Sequence, residues 1–280
     1  MESLMAKTSI SILLKLRLTL FILIICQLTS FAQDWKRLES IKLNNPAHQI
    51  SIDRQGNIYV SSLNGAIDKY DSNGELQAHY SPTKKSTPRI IEAWQGLRVF
   101  VFYKDFQEYS FFNRFLGESE RYTFGNQQVT SNLSLSTIAT DNNIWALDGQ
   151  QLSLKKIDIN SNEAISETNL NLILKNNTHD FTYIREYQNL VFISDSKNGI
   201  LVFDNIGNYL ETLPLFNISF FSFKDSSLIS IQNGKVIYFD IYTKQKKEVS
   251  LPDPSYTFVL MENKRVFLFK KETLDIFELN

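Results

Sequence analysis

Six carboxylates recur along this chain at a spacing that could assemble a cation site. Asp53, Glu92, Asp141, Glu186, Asp225 and Glu262 each end an apolar run, and each is followed by a short polar turn and a second apolar run. Successive acids stand 39, 49, 45, 39 and 37 residues apart. Hard cations take shells of oxygen ligands, so a ring of acids drawn to one axis would suit calcium. A simpler chemistry uses the same residues. An acid beside a turn accepts backbone N–H bonds and caps that turn, which explains the repetition without any ligand. We read the six as turn punctuation.

The residues that open the apolar runs are the better place to seek a site. They are His48, Arg89, Ser136, His179 with Asp180, Ser219 and Tyr256. If the first and fourth units face each other across a ring, His48 and His179 approach a common pocket. Two histidines with Asp180 could bind a metal or act as acid and base, but no third protein ligand is evident. His48, Arg89, His179, Asp180 and Tyr256 are therefore expected as binding residues at a channel mouth. No catalytic residue, metal ligand or cofactor is assigned. The stretch "DSNGE" at Asp71–Glu75 resembles the start of a calcium loop but lacks the later ligands, and reads as a hairpin turn. No G-x-S-x-G elbow, H-E-x-x-H helix, P-loop or G-x-G-x-x-G loop is present.

The elements that must position these residues are strands. In the first unit, "ISID", "NIYVSSL", "AIDKYD" and "ELQAHYS" alternate with turns, two of them marked by Asn64-Gly65 and Asn73-Gly74. Asn and Gly tolerate positive φ, so such pairs make tight hairpins. The unit is a meander of four antiparallel strands, and the fourth and fifth units repeat it. The second unit is the outlier, with ten Phe or Tyr residues between Val99 and Phe124. These rings suit either packing between units or a stacking platform for sugar or peptide. The sixth unit has three strands before the chain ends. The segment "DWKRLESIKLN", from Asp34 to Asn44, is one strand without a unit, and adding it to the sixth closes a ring and removes the open edges.

Repeats of this length have the period of propeller blades. The phrase "IDRQGNIYVSS" resembles the D-x-x-G-N-I-Y-V-x-D repeat of NHL-type propellers, with Ser62 in place of the second acid. The chain thus resembles six-bladed β-propellers of the NHL or YWTD-like kind over residues 34–280. The resemblance implies an all-β fold of six blades, four antiparallel strands each, with the N-terminal strand joining the last blade. The GH and WD dipeptides of WD40 repeats are missing.

Residues 1–32 differ in kind. Lys7, Lys15 and Arg17 precede an apolar run from Leu18 to Cys26, and Ser30 and Ala32 stand before a cleavage point. That order is a secretory signal peptide, and the run is short of the roughly 20 residues that span a bilayer. Its "SFAQ" ending resembles signals of Bacteroidetes-type bacteria. The expected domains are a signal peptide at 1–32 and one propeller at 33–280. Cys26, the single cysteine, falls in the leader, so the exported chain carries no thiol. With 29 Lys and Arg against 30 Asp and Glu, nothing draws the chain to phosphate backbones, which argues against nucleic acid.

The expected function is an exported, non-catalytic propeller that binds a protein, peptide or glycan partner in the periplasm or cell envelope. Two alternatives stand beside it. One is a scaffold or assembly component of an envelope complex. The other is a metal-dependent propeller hydrolase or lactonase, for which the inner-strand starts hold few carboxylates. Fold alone does not decide among them.

Overall fold

The apolar runs are short, rich in Ile, Val, Phe and Tyr, and bounded by Asn, Asp and Gly, a composition that suits pleated, buried strands. The computed structural model describes residues 35–94, 97–124, 132–174 and 178–279; the expected signal peptide lies outside them. The first strand, β1 (Trp35–Lys42), precedes the first sheet: β2 (Gln49–Ile52), β3 (Ile58–Ser61), β4 (Ile67–Tyr70) and β5 (Leu76–Tyr80). The second sheet is β6 (Ile90–Glu92), β7 (Arg98–Tyr103), β8 (Glu108–Asn113) and β9 (Glu118–Thr123). The third is β10 (Leu133–Ile138), β11 (Ile144–Asp148), β12 (Ser153–Ile157) and β13 (Ala164–Asn169). The fourth is β14 (Phe181–Tyr187), β15 (Leu190–Asp195), β16 (Gly199–Asp204) and β17 (Tyr209–Leu213). The fifth is β18 (Ser222–Lys224), β19 (Ser227–Gln232), β20 (Lys235–Asp240) and β21 (Lys246–Ser250). The last is β22 (Phe258–Glu262), β23 (Arg265–Phe269) and β24 (Thr273–Leu279), to which β1 adds as the fourth strand.

All six sheets are antiparallel; five are meanders of consecutive strands, and the last is a three-strand meander completed by β1. Inner strands meet in sequence: β2 lies against β6, β6 against β10, β10 against β14, β18 against β22, and β22 against β2. Between the fourth and fifth sheets the rings of Tyr187 and Phe223 stack 4.3 Å apart at 4°. This is a six-bladed β-propeller. In the last blade β1 pairs with β24 from Trp35↔Leu279 to Lys42↔Thr273, with a bulge between Arg37 and Glu39. Trp35 adds a link to the fifth blade, its indole N–H donating to the Ser250 carbonyl at 2.8 Å.

The core lies between blades. The crowded second blade spends its rings there: Phe100, Phe102, Tyr103, Tyr109, Phe111, Phe112 and Phe124 are all buried, and only Phe115 is well exposed, at 69%. Tyr109 stacks on Tyr122 at 5.0 Å and meets Phe124 at 4.7 Å, and burial pushes its hydroxyl up to about 12. Of the two readings of that run, the geometry is that of packing.

A second punctuation accompanies the six acids. Between the third and fourth strands of blades one to five, Asp71, Asn113, Asp158, Asp204 and Asp240 each accept two backbone N–H bonds from the turn that follows. In blades one to four a bulge sits just before that residue. The "DSNGE" stretch is one of these hairpins.

Candidate binding site at the mouth of the ring

Each inner strand starts at one end of the ring and finishes at the other. The outer-to-inner connections and the turns between second and third strands therefore gather at one mouth, and the six acid turns at the opposite end.

At the acid end four of the six recurring acids use their carboxylates in separate ways, and a fifth, Asp225, acts through its backbone. Asp53 caps its own turn, accepting from the backbone of Gln55 and Asn57 at 2.9 Å and from the Asn57 side chain at 2.8 Å. Asp141 accepts from Asn143 N–H at 3.1 Å and pairs with Lys156 at 2.6 Å. Glu186 instead reaches to the third blade and accepts from the Thr140 backbone at 3.0 Å and the Trp145 indole at 2.5 Å. Glu92 accepts from Trp94 N–H at 2.8 Å and lies 2.9 Å from Arg185 of the fourth blade. Asp225 adopts a left-handed φ of 53°, and its carbonyl accepts from the Tyr187 hydroxyl at 3.0 Å. Capping is thus the role of some acids, and tying blades together is the role of others.

At the mouth, His48 is half-buried and its backbone N–H donates to the Ser61 carbonyl at 2.8 Å. Burial first, and the charge of Arg89 second, push its imidazole below the ordinary value against a raising contact with the Pro88 backbone. Arg89 reaches from the second blade to the fourth, where its Nη2 donates to the carbonyls of Phe181 at 3.3 Å and Thr182 at 3.0 Å. Burial lowers the Arg89 pKa while Asp180 opposes that shift; a guanidinium so placed keeps its charge. Asp180 is exposed and accepts from the Ser196 hydroxyl at 2.5 Å.

The other expected site residues have their side chains engaged within the fold. His179 is held within its own blade: its Nδ1 is 3.0 Å from Asp195 Oδ2, and its ring stacks on Phe181 at 5.6 Å and 12°. It makes no described contact with His48. Burial would raise the Asp195 carboxyl, but hydrogen bonds from Asn198, the Lys197 backbone and His179 hold it below its usual range. Tyr256 is buried, donates to Asp275 Oδ2 at 2.5 Å and lies under the Lys270 ammonium, 4.9 Å from its ring centre. It packs between blades five and six rather than lining the mouth. Ser136 is buried and donates to the Trp145 carbonyl at 2.9 Å, whereas Ser219 is exposed. Among the described residues, no three His, Cys, Asp or Glu side chains are grouped as metal ligands.

The mouth holds a hollow of about 650 Å³ where blades one and six meet, lined by His48 and by Pro46, Ala47, Leu63, Phe258 and Lys271. A second hollow of about 350 Å³ adjoins it between blades one and two and shares Leu63 and Asn64. Leu63, 62% exposed, forms the ridge between them. Its turn is fixed: the Thr87 hydroxyl donates to the Leu63 carbonyl at 2.7 Å, and Ala66 N–H donates to Asn64 Oδ1 at 3.2 Å. Gly65 follows at φ 90°, and a Cβ there would stand 2.5 Å from the Ser86 carbonyl oxygen. Sequence reasoning found His48 but missed Leu63, Phe258 and Lys271, because lone apolar and basic residues in turns carry no periodic signal. The "NG" after Leu63 was the available clue: it fixed a turn and so fixed what the turn displays.

No family model matches the chain, and no curated protein sequence does. Solved structures do. Virginiamycin B lyase from Staphylococcus aureus superposes with a TM-score of 0.63 at 11% identity, covering 88% of this chain and 100% of the lyase. The WD40 domain of Neurospora crassa Pan2 gives 0.58 at 10%, over 89% and 97%. BamB from Moraxella catarrhalis gives 0.52 at 10%, over 88% and 98%. These are likenesses of fold alone. At such identity, neither the NHL nor the YWTD-like kinship receives support over any other propeller.

Proposed function

We propose that the protein is an exported, non-catalytic β-propeller that binds a protein or peptide partner in the cell envelope through the mouth hollows. One observation carries this reading: an exposed leucine on a rigid turn divides two adjoining hollows at the mouth. Apolar groups displayed on fixed turns bind at low ordering cost, because little conformational freedom is lost on contact. A large solvent-facing apolar side chain beside a concave, apolar wall is the usual anatomy of a recognition surface. Export rests on the order of charge, apolar run and small residues in 1–32, and places the partner in the periplasm or outside the cell.

A photo-crosslinking amino acid at position 63 tests the reading in envelope extracts of the source cell. Tyr242, 62% exposed on the turn after β20, is the control position at the opposite end. Discrete adducts at 63 and none at 242 support a mouth-directed binder. Adducts confined to 242, or none at either position, overturn it. A scaffold within an envelope complex would give adducts at both ends, which is how that alternative would show itself.

A further inference from the structure

The charge of the two hollows specifies their occupant. The larger hollow has Lys271 in its wall and no carboxylate. The smaller has Lys85 and one acid, Asp105. Among the described residues, neither lysine's ammonium has an ion-pair or hydrogen-bond partner. The neighbouring Lys270, by contrast, is bound to Asp253 at 2.6 Å. A third cation, Lys84, stands 4.1 Å over the Phe106 ring in the wall of the second hollow. His48 adds no acid to the surface, and among the described residues the Arg89 guanidinium beside it donates to the neutral carbonyls of Phe181 and Thr182, with Asp180 as its nearby carboxylate. The mouth therefore sets an apolar ridge between unspent positive charges on either side.

We propose that the hollows take an extended acidic peptide segment, with one apolar side chain seated against Leu63, Ala47 and Phe258 and carboxylate side chains on both flanks. This rests on the mouth being a binding surface, and names the ligand class of that surface. The flanking acids meet Lys271 on the blade-six side and Lys85 on the blade-two side. Complementary charge at an exposed rim steers encounter and selects among partners more than it adds affinity. The apolar side chain supplies the anchor. The loops that form the walls are already tied down: Ala47 N–H donates to the Lys271 carbonyl at 2.7 Å, and Asn45 Nδ2 donates to Asp68 at 3.3 Å.

The probe is a fluorescent heptapeptide, capped at both ends, with a central leucine and two glutamates on each side. Its analogues carry glutamine or lysine in place of glutamate, or serine in place of leucine. Fluorescence anisotropy with the full propeller, at low and at 0.5 M salt, gives their relative affinities. The glutamate peptide should bind at least about fivefold more tightly than the glutamine form and lose that margin in high salt. The serine analogue should fall about tenfold. The Lys85→Glu/Lys271→Glu variant, whose two sites are exposed, should reverse the preference toward the lysine peptide with an unchanged melting temperature. Equal or tighter binding of the glutamine or lysine peptide to the unmodified protein overturns the proposal, as does binding by none of them. If adducts form at position 63 while none of these peptides binds, the ligand class is wrong and the binding role stands. If neither occurs, both fall. A peptide with a single free C-terminal carboxylate and no acidic side chains should bind no better than the glutamine form; tighter binding would make a chain terminus the source of the charge and overturn the two-flank arrangement.

Discussion

Arg185 and Glu92 face each other across the ring with 2.9 Å between Nε and Oε2, and both side chains are almost wholly buried. They come from blades four and two. The contact is close, yet neither Nε nor Oε2 has an aligned hydrogen bond. The guanidinium also lies 5.6 Å from the Trp94 ring and 5.8 Å from that of Phe223. With Arg89 joining the same two blades at the mouth, the ring is pinned at both ends by an arginine.

Removing one partner of that pair should be far worse than removing both. Glu92→Leu leaves a buried guanidinium without its counter-charge and should cost about 3 to 5 kcal/mol, whereas Glu92→Leu/Arg185→Met should recover much of the loss. Urea denaturation reads both. Equal destabilisation in the single and double variants would show that the ionic contact is not what holds the two blades.

Removing residues 35–42 strips the outer strand from the last blade and exposes the β24 edge. The loss should be several kcal/mol, a fall in Tm of about 10 °C or more at roughly 2–4 °C per kcal/mol for a domain of this size. Trp35→Ala should give part of that effect, since it removes the bond to Ser250 and an edge-on contact with Phe277 at 5.4 Å. A truncated chain that melts with the intact one would refute the role of β1.

Gly65→Ala tests whether the leucine ridge is preset. The left-handed backbone and the nearby Ser86 oxygen both oppose a side chain there, so the variant should lose about 1 to 3 kcal/mol. The turn must shift to accept it, and crosslinking from position 63 should fall even at temperatures where the protein remains folded. Undiminished crosslinking would mean that the turn need not be rigid.

His48 sets a pH dependence. Its folded pKa lies below the ordinary 6.5, so the unfolded chain binds more protons between those two values. Stability is then full above about pH 6.5 and falls as acid drives the pH down toward the folded pKa. His48→Gln should flatten this part of the pH–stability curve, and an NMR titration should place the His48 imidazole below the ordinary 6.5. An ordinary midpoint for His48 would remove the effect.

Most of the architecture was legible because it repeats. The phrases ending in Asp53, Glu92, Asp141, Glu186, Asp225 and Glu262 counted the blades, since each marks the end of an inner strand. The leftover strand at Trp35 pointed to its place on the last blade for the same reason. What repetition could not show was which side chain crosses the ring. Glu92 and Asp53 occupy equivalent positions, and only the distant Arg185 distinguishes them. His179 and His48 open equivalent strands, but Asp195, at the end of β15, draws His179 back into its own blade. Tyr256 likewise turns inward because Asp275 offers its hydroxyl a buried acceptor. Such pairings join residues far apart in the chain, and no local pattern encodes them.

The pairing of Trp35 with Leu279 also governs the order of events during folding. Contacts between partners this distant in sequence carry a large loop-closure cost and form slowly. β1 has no strand partner until β24 is present, so it stays unpaired while the five sheets between them form. Closure of the last sheet is therefore expected to follow the pairing of the other five, whose strands are neighbours in sequence.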